Sequence, residues 1–124
     1  MEKVNVIEVG PRDGFQSVKA FIPTDIKIKI IEGLIEAGVS KIQICSFINP
    51  KAIPQMRDAS EIVDALSSKY SKPTLFALVP NLIGAKAAVS AGLKEISTVL
   101  SLSESHNQAN VKRTVQQSVE EVAR

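Results

Sequence analysis

Short apolar runs alternate along the chain with longer segments in which apolar residues recur at helical spacing. This alternation is typical of βα units and of a parallel sheet. It predicts about four units, with strands at residues 4–9, 41–47, 74–79 and 95–102. A polar loop, 10–21, separates the first strand from the clearest helix, which begins near Pro23 and Thr24 and ends at Gly38, a residue suited to the left-handed closing conformation.

The spacing of apolar and polar residues also predicts which faces are buried and where helices begin. In the first long helix, Ile26, Ile30 and Leu34 share one stripe, with Ile31 and Ile35 beside them. In the second strand, Ile42 and Ile44 should face one side, with Gln43, Cys45 and Phe47 on the other. The later helices are expected to start at polar caps, namely Asp58 with Glu61, Asn81, and Thr114 with Gln117.

A weak internal echo supports a repeated unit, because Gly38 and Ile42 are followed 54 positions later by Gly92 and Ile96. Four βα units would leave two sheet edges open, whereas a TIM barrel closes with eight strands. The sequence is therefore expected to be an incomplete barrel.

Composition and charge narrow the class of protein. The 124 residues are 44% hydrophobic and 23% charged, which is typical of one small globular domain. The net charge of +2 is spread along the chain, so nucleic acid is not an expected partner. No stretch is long enough to span a membrane, and the first ten residues resemble no targeting signal. Cys45 is the only cysteine, which favours a reducing compartment and a cytoplasmic location.

Candidate chemistry follows the predicted strands, where the loops of parallel α/β proteins gather functional groups. After the first strand, Arg12 adjoins Asp13 in a loop bracketed by glycines. Asp13 offers a hard oxygen ligand for Mg²⁺ or Mn²⁺, and Arg12 offers a cation for a developing oxyanion. The alternative is a surface turn containing a local ion pair.

Two further loops carry polar side chains. The loop after the second strand contains Ser46 and Lys51, and either contacts a substrate or is an ordinary rigid connection. The segment after the fourth strand contains Glu104 and His106, and its neighbouring serines and asparagines alternatively cap the next helix. Cys45 is interpreted as a buried apolar residue rather than a nucleophile.

Segments 8–16, 46–56 and 103–111, taken together and in order, resemble the hydroxymethylglutaryl-CoA lyase family. The resemblance covers essentially the whole chain, 1–124, and implies the N-terminal half of a TIM barrel. It implies cleavage of 3-hydroxy-3-methylglutaryl-CoA to acetyl-CoA and acetoacetate, with a divalent cation as cofactor. It further implies that Asp13 is a metal ligand, that Arg12 stabilises the enolate of acetyl-CoA, and that Gln16 assists.

Compared with the family that it resembles, this chain differs at one site residue and lacks several metal ligands. The family usually has a glutamate where this chain has Gln43, which would face the site, and it takes further metal ligands from two histidines and an asparagine on later strands. The isolated chain is therefore expected to be inactive. Ser46, Lys51, Glu104 and His106 are the candidates for binding the acyl-CoA thioester.

Two other functions remain open from the sequence. One is a related acyl-CoA lyase or Claisen-type synthase, in which Gln43 reflects altered specificity. The other is a non-catalytic half-barrel that associates with itself or with a complementary half and so buries the edges of both sheets.

Overall fold

A computed structural model describes residues 2–124, which form an α/β fold around a three-stranded parallel sheet. The strands are β1 (Lys41–Ser46), β2 (Thr74–Leu78) and β3 (Glu95–Ser97), in the order β1-β2-β3. The α-helices are α1 (Phe15–Ser17), α2 (Thr24–Glu36), α3 (Ala59–Ser67), α4 (Leu82–Ser90), α5 (Glu104–Val111) and α6 (Val115–Val122). The predicted alternation of strands and helices is confirmed.

The core lies between the sheet and the helices that connect its strands. Its members are apolar side chains with little or no exposure, among them Ile31, Ile42, Val63, Leu66 and Ala77. Burying one side chain of the size of leucine or isoleucine stabilises a fold by roughly 1.5–3 kcal/mol. This core therefore fixes the strand ends from which the candidate site is built.

The first predicted strand, 4–9, does not form. Only Glu8 pairs with the sheet, through a hydrogen bond from its N–H to the Lys41 carbonyl (3.0 Å) and one from the Gln43 N–H to its own carbonyl (2.8 Å). Val4 and Val6 are 84% and 75% exposed. Because this segment lies at a sheet edge where no described element covers these valines, little apolar burial holds it as a strand.

The same reasoning explains why the fourth predicted strand is short. It spans Glu95–Ser97 rather than 95–102, and Val99 and Leu102 beyond it are exposed.

Two segments that were predicted as loops, one before β1 and one after β3, form helices instead. The polar loop 10–21 contains a π-helical turn, Gly10–Gly14, and helix α1, while the segment containing Glu104 and His106 is helix α5, capped by Ser103.

Helix α2 has the predicted bounds but a different buried face. Lys27 and Ile31, one turn apart, are fully buried, whereas Ile26 and Ile30 are 39% and 43% exposed. The prediction is wrong for Ile26 and Ile30, because the charged end of Lys27 is paired inside the protein and α2 turns its Lys27 face inward, while Leu34 and Ile35 pack against the core as predicted. The prediction that Gly38 closes the helix is confirmed by its φ of +90°.

A register irregularity in β1 overturns the predicted alternation. Gln43 pairs with Phe76 but Cys45 pairs with the next residue, Ala77, so Ile44 has no partner in the register. The sulfur of Cys45 lies 4.0 Å from the Ala59 carbonyl of α3, whereas Gln43 bonds to groups on the other side of the sheet. A β-bulge therefore separates two residues that strict alternation places together.

The predicted helix caps have mixed outcomes. Asn81 caps α4 by accepting from the Gly84 N–H at 2.8 Å, and Thr114 and Gln117 form a complete capping box on α6. Asp58 stands at the N-cap of α3 but its side chain makes no capping bond, since its carboxylate is paired with Lys27.

Within residues 2–124, every helix falls short of the length and apolar character needed to cross a bilayer.

Candidate active site

The turn that carries Arg12 is anchored directly beside β1. The Val9 carbonyl accepts hydrogen bonds from the N–H groups of Arg12 (3.1 Å) and Asp13 (2.8 Å). The Glu8 carboxylate accepts from the Gly10 N–H at 2.6 Å, while the Glu8 backbone is bonded to β1. These bonds fix the start of the turn against the strand that carries Gln43.

A chain of hydrogen bonds crosses the open face of the sheet from this turn. Arg12 Nε donates to Gln43 Oε1 at 2.6 Å, Gln43 Nε2 donates to Ser97 Oγ at 2.9 Å, and Ser97 Oγ donates to the Ala77 carbonyl at 3.4 Å. Gln43 is 5% exposed, and both ends of its amide are used. The buried amide therefore orients the guanidinium while adding no charge of its own.

Asp13 contacts the Arg12 guanidinium on its solvent side, away from Gln43. Its Oδ1 lies 3.0 Å from Arg12 Nη1, and its side chain is 67% exposed whereas that of Arg12 is 19% exposed. Solvent weakens an ion pair this open. Arg12 thus remains a fixed cation, held at its inner side by a neutral group, and it is suited to stabilising negative charge on a bound molecule.

The other predicted residues from the first two loops lie near this edge but make separate contacts. Gln16 is half-buried in α1. Ser46, the last residue of β1, is buried and lines a cavity of about 440 Å³ together with Asn49 and Arg57. Lys51 is exposed, and its backbone N–H donates to Asn49 Oδ1 at 3.0 Å.

Glu104 and His106 are brought together on α5 and do not join the bonds around Arg12. The Glu104 carboxylate accepts from the Val115 N–H at 3.1 and 3.2 Å, so it holds the start of α6. The His106 side chain is exposed, while its backbone N–H donates to Ser103 Oγ at 3.4 Å. Their roles in substrate binding stay predictions.

The acidic and metal-ligating side chains do not assemble a complete cation site. In the part of the chain that the structure describes, no three histidine, cysteine, aspartate or glutamate side chains are grouped as ligands. Asp13 is a suitable hard ligand, but it is a single carboxylate that also pairs with Arg12. These residues alone therefore do not fit a bound metal ion.

Cys45 is buried, as predicted. Burial raises the pKa of its thiol well above the usual range, and the Asp58 carboxylate raises it further, while the Lys27 ammonium opposes the change. The thiol therefore stays protonated and is not a nucleophile.

Two members of the site were not found in the sequence, namely Ser97 and Glu8. Ser97 follows Gln43 by 54 positions, the same interval as the internal echo, so extending that echo by one residue would have located it. Glu8 sits at the end of an apolar run, and its backbone pairing was not visible from residue types.

A parallel α/β sheet, with a fixed cation bonded to Gln43 of β1 at the end of the segment that pairs through Glu8, is typical of one class of protein: part of a TIM-barrel fold. The model of the family described as HMGL-like matches residues 3–124. The chain belongs to this family.

Individual relatives agree with this assignment. The chain is 43% identical to a mitochondrial hydroxymethylglutaryl-CoA lyase of Macaca fascicularis, over 94% of the chain and 36% of that protein. It is 40% identical to a cytoplasmic 3-hydroxy-3-methylglutaryl-CoA lyase of Rattus norvegicus, over 95% of the chain and 34% of that protein. The chain thus spans about a third of the length of these relatives.

A solved structure gives the same result for the fold. An HMG-CoA lyase from Acinetobacter baumannii, in complex with coenzyme A and 3-methylmalate, superposes with a TM-score of 0.88 at 41% identity, covering 94% of this chain and 38% of the other. The prediction of a partial TIM barrel is confirmed.

Proposed function

We propose that this chain is a partial TIM-barrel domain, 1–124, of a carbon–carbon lyase of the hydroxymethylglutaryl-CoA lyase type. The observation that carries the proposal is the Arg12 guanidinium, held at 2.6 Å by buried Gln43 at the carboxyl edge of the sheet, in a chain with lyase relatives at about 40% identity. The substrate would be 3-hydroxy-3-methylglutaryl-CoA and the products acetyl-CoA and acetoacetate.

The chemistry assigns a clear task to Arg12. A base removes the proton of the C3 hydroxyl, the C2–C3 bond breaks as the C3 carbonyl forms, and the bonding electrons move onto the thioester carbonyl as an enolate. Protonation of this enolate at C2 then gives acetyl-CoA. Arg12 stabilises the oxyanion of this enolate, because a positioned cation is worth more as charge develops than in the ground state. Gln43 orients Arg12, and Gln16 assists from α1.

The remaining candidates belong to substrate and cofactor binding. Ser46, at its cavity, and exposed Lys51 are proposed to contact the acyl-CoA thioester, as are Glu104 and His106 on α5. Asp13 is proposed as this chain's one ligand for Mg²⁺ or Mn²⁺, with the other ligands supplied from outside residues 1–124. A cation held by one exposed carboxylate binds weakly. We propose a cytoplasmic location, consistent with the single buried thiol.

The test compares the chain alone with the same chain joined in frame to the remaining barrel of the Acinetobacter baumannii relative. With Mg²⁺ or Mn²⁺, the joined protein should cleave the hydroxymethylglutaryl thioester and the chain alone should not. Arg12→Gln in the joined protein should lower kcat by about 100-fold, the usual effect of removing one oxyanion donor. Cleavage by the chain alone, or an inactive joined protein, would contradict the proposal.

A second candidate function is a related acyl-CoA lyase or Claisen-type synthase of different specificity. Gln43 favours it, because a neutral amide replaces the glutamate that the family resemblance implies beside Arg12. A panel of 3-hydroxyacyl-CoA thioesters, given to the joined protein, separates the two functions. Activity confined to the hydroxymethylglutaryl thioester would eliminate this candidate.

The remaining candidate is a half-barrel that associates with another copy or with a complementary half, and a different observation supports this association. Val4, Val6 and Leu102 are exposed near the two edges of the sheet, where another copy or a complementary half-barrel would cover them. Association of this kind is compatible with either lyase function.

A further inference from the structure

A buried ion pair lies behind the candidate site and joins the start of α2 to the start of α3. Lys27 Nζ is 2.8 Å from Asp58 Oδ1 and 3.1 Å from Oδ2, and the two side chains are 0% and 3% exposed. The ammonium also donates to the Gln55 carbonyl at 2.5 Å, and Thr24 Oγ1 donates to Asp58 Oδ2 at 2.9 Å. Both charges are therefore paired and hydrogen-bonded without access to water.

Stability alone does not account for this pair. Removing two charges from water is costly, and well-packed apolar side chains of similar volume often stabilise a fold as well or better. Lys27 also lies one turn before Ile31, an apolar core residue, so an apolar side chain could take its place on the buried face of α2. The better explanation is a role that depends on the contacts which the two charged groups make.

The pair holds the segment that follows the Arg12 turn. The Phe21 ring lies under the Lys27 ammonium (4.4 Å to the ring centroid) and under the Arg57 guanidinium (3.5 Å). The residue whose carbonyl binds Lys27, Gln55, also donates from its side chain to the Val18 carbonyl at 2.8 Å. The chain between 18 and 21 is thereby tied to the segment 55–58.

The stretch that carries Arg12 thus has two anchors. One is the backbone pairing of Glu8 with β1, and the other is the contact of Val18 and Phe21 with segment 55–58. We propose that Lys27 and Asp58 are positioning residues, which set the second anchor and so keep Arg12 bonded to Gln43. For catalysis, this inference rests on the proposed lyase function.

The test replaces both charges with apolar side chains in the full chain, as Lys27→Met with Asp58→Leu. Hydrogen exchange of the Arg12 Nε–H, assigned by its loss in Arg12→Lys, reports whether the bond to Gln43 persists. The double variant should keep its circular dichroism spectrum while this exchange accelerates about tenfold, the factor for one lost hydrogen bond. Lys69→Met, which breaks the exposed pair with Glu32, is the control and should leave the exchange rate unchanged.

A folded double variant with the wild-type exchange rate would overturn the proposal. If the double variant does not fold, Gln55→Leu decides instead, since it removes only the bond to Val18: faster exchange supports the second anchor and an unchanged rate overturns it. In the joined barrel, the double variant should lower kcat about tenfold with little change in KM. An inactive wild-type joined barrel would refute the proposed function, while the exchange measurement would still judge this inference.

Discussion

Gln43 determines how the charge of Arg12 is presented. Its amide oxygen accepts from Arg12 and its nitrogen donates to Ser97, so the inner side of this guanidinium is held by a neutral group. A carboxylate at the same position would turn this bond into an ion pair and hold the guanidinium more firmly. Ser97 would then have to donate to that carboxylate instead of accepting.

We therefore expect Gln43→Glu in the joined barrel to raise kcat/KM for the hydroxymethylglutaryl thioester by about tenfold, because a hydrogen bond with two charged partners is stronger than one with a single charged partner. Steady-state kinetics would measure it. Ser97→Ala, which removes the other partner of the amide, is the companion variant and should lower the same ratio. Equal or lower activity in Gln43→Glu would favour the lyase of altered specificity.

For single residues, the sequence indicated which side chains are candidates for the site, but it did not indicate which side chains contact each other. Arg12 and Asp13 were found because a cation and a carboxylate flanked by glycines follow an apolar run. The pairing of Lys27 with Asp58 was not, because a lysine among isoleucines at helical spacing is normally exposed. Only the tertiary structure shows which charged side chain meets a partner inside the protein.

At the scale of elements, α4 closely approaches the residue that follows β1, at Gly84. A β-carbon at Gly84 would lie 2.5 Å from the Phe47 carbonyl oxygen, a backbone atom, and 3.2 Å from the Pro80 ring. Since neither can move freely, Gly84→Ala should destabilise the fold by about 1–3 kcal/mol. Urea unfolding measures this change.

Gly33→Ala in α2 is the matched control for that substitution. Nothing lies within 4 Å of its β-carbon position, so the variant should be more stable than wild type by about 0.5–1 kcal/mol, the gain of alanine over glycine inside a helix. A neutral Gly84→Ala would show that α4 does not depend on this close approach.

A hydrogen bond to a carboxylate joins helix α6 to the start of α4. The Glu121 carboxylate accepts from the Leu82 N–H at 2.9 Å; this hydrogen bond, aided by Arg113 and Arg124, lowers the pKa of Glu121 despite some desolvation. A lowered carboxyl pKa stabilises the folded state above the unfolded-state pKa of about 4.3, and the contribution is lost as the pH falls through the folded value.

Acidification below about pH 4.3 should therefore weaken the contact between α6 and α4. Hydrogen exchange at the Leu82 N–H should accelerate in this range for the wild type, relative to a Glu121→Gln variant that already lacks the charge. Glu120→Gln, one residue earlier on the exposed face, serves as the control and should behave as wild type. Identical pH profiles for wild type and Glu121→Gln would contradict this account.

Element boundaries were predicted best where a local signal sets them. Gly38, Asn81 and Thr114 act through their own backbone or side chain, and all three end or begin helices as predicted. The strands at 4–9 and 95–102 failed because strand formation depends on neighbours that a local pattern does not reveal. Edges of the sheet were therefore the least predictable part of the fold.

For the molecule as a whole, the open sheet edge beside Glu8 is a surface at which another copy of the chain can associate. Val4 and Val6 are largely exposed on the same segment, so self-association would bury apolar surface. Sedimentation velocity should show a concentration-dependent oligomer for the wild-type chain, and Val4→Lys with Val6→Lys should shift it toward monomer. Val89→Lys on α4, also at an exposed valine, should not. A wild-type chain that stays monomeric at all concentrations would contradict this prediction.

The bulge in β1 has a further consequence for how this protein tolerates change. Ile44 is the residue of β1 without a partner, so Gln43 and Ser46 lie opposite Phe76 and Leu78 while Cys45 lies opposite Ala77. Deletion of Ile44 would therefore leave these three residues in their present phase and turn the bulged strand into a regular one. Such a deletion would remove a fully buried isoleucine side chain, so its cost would be one of packing and not of register.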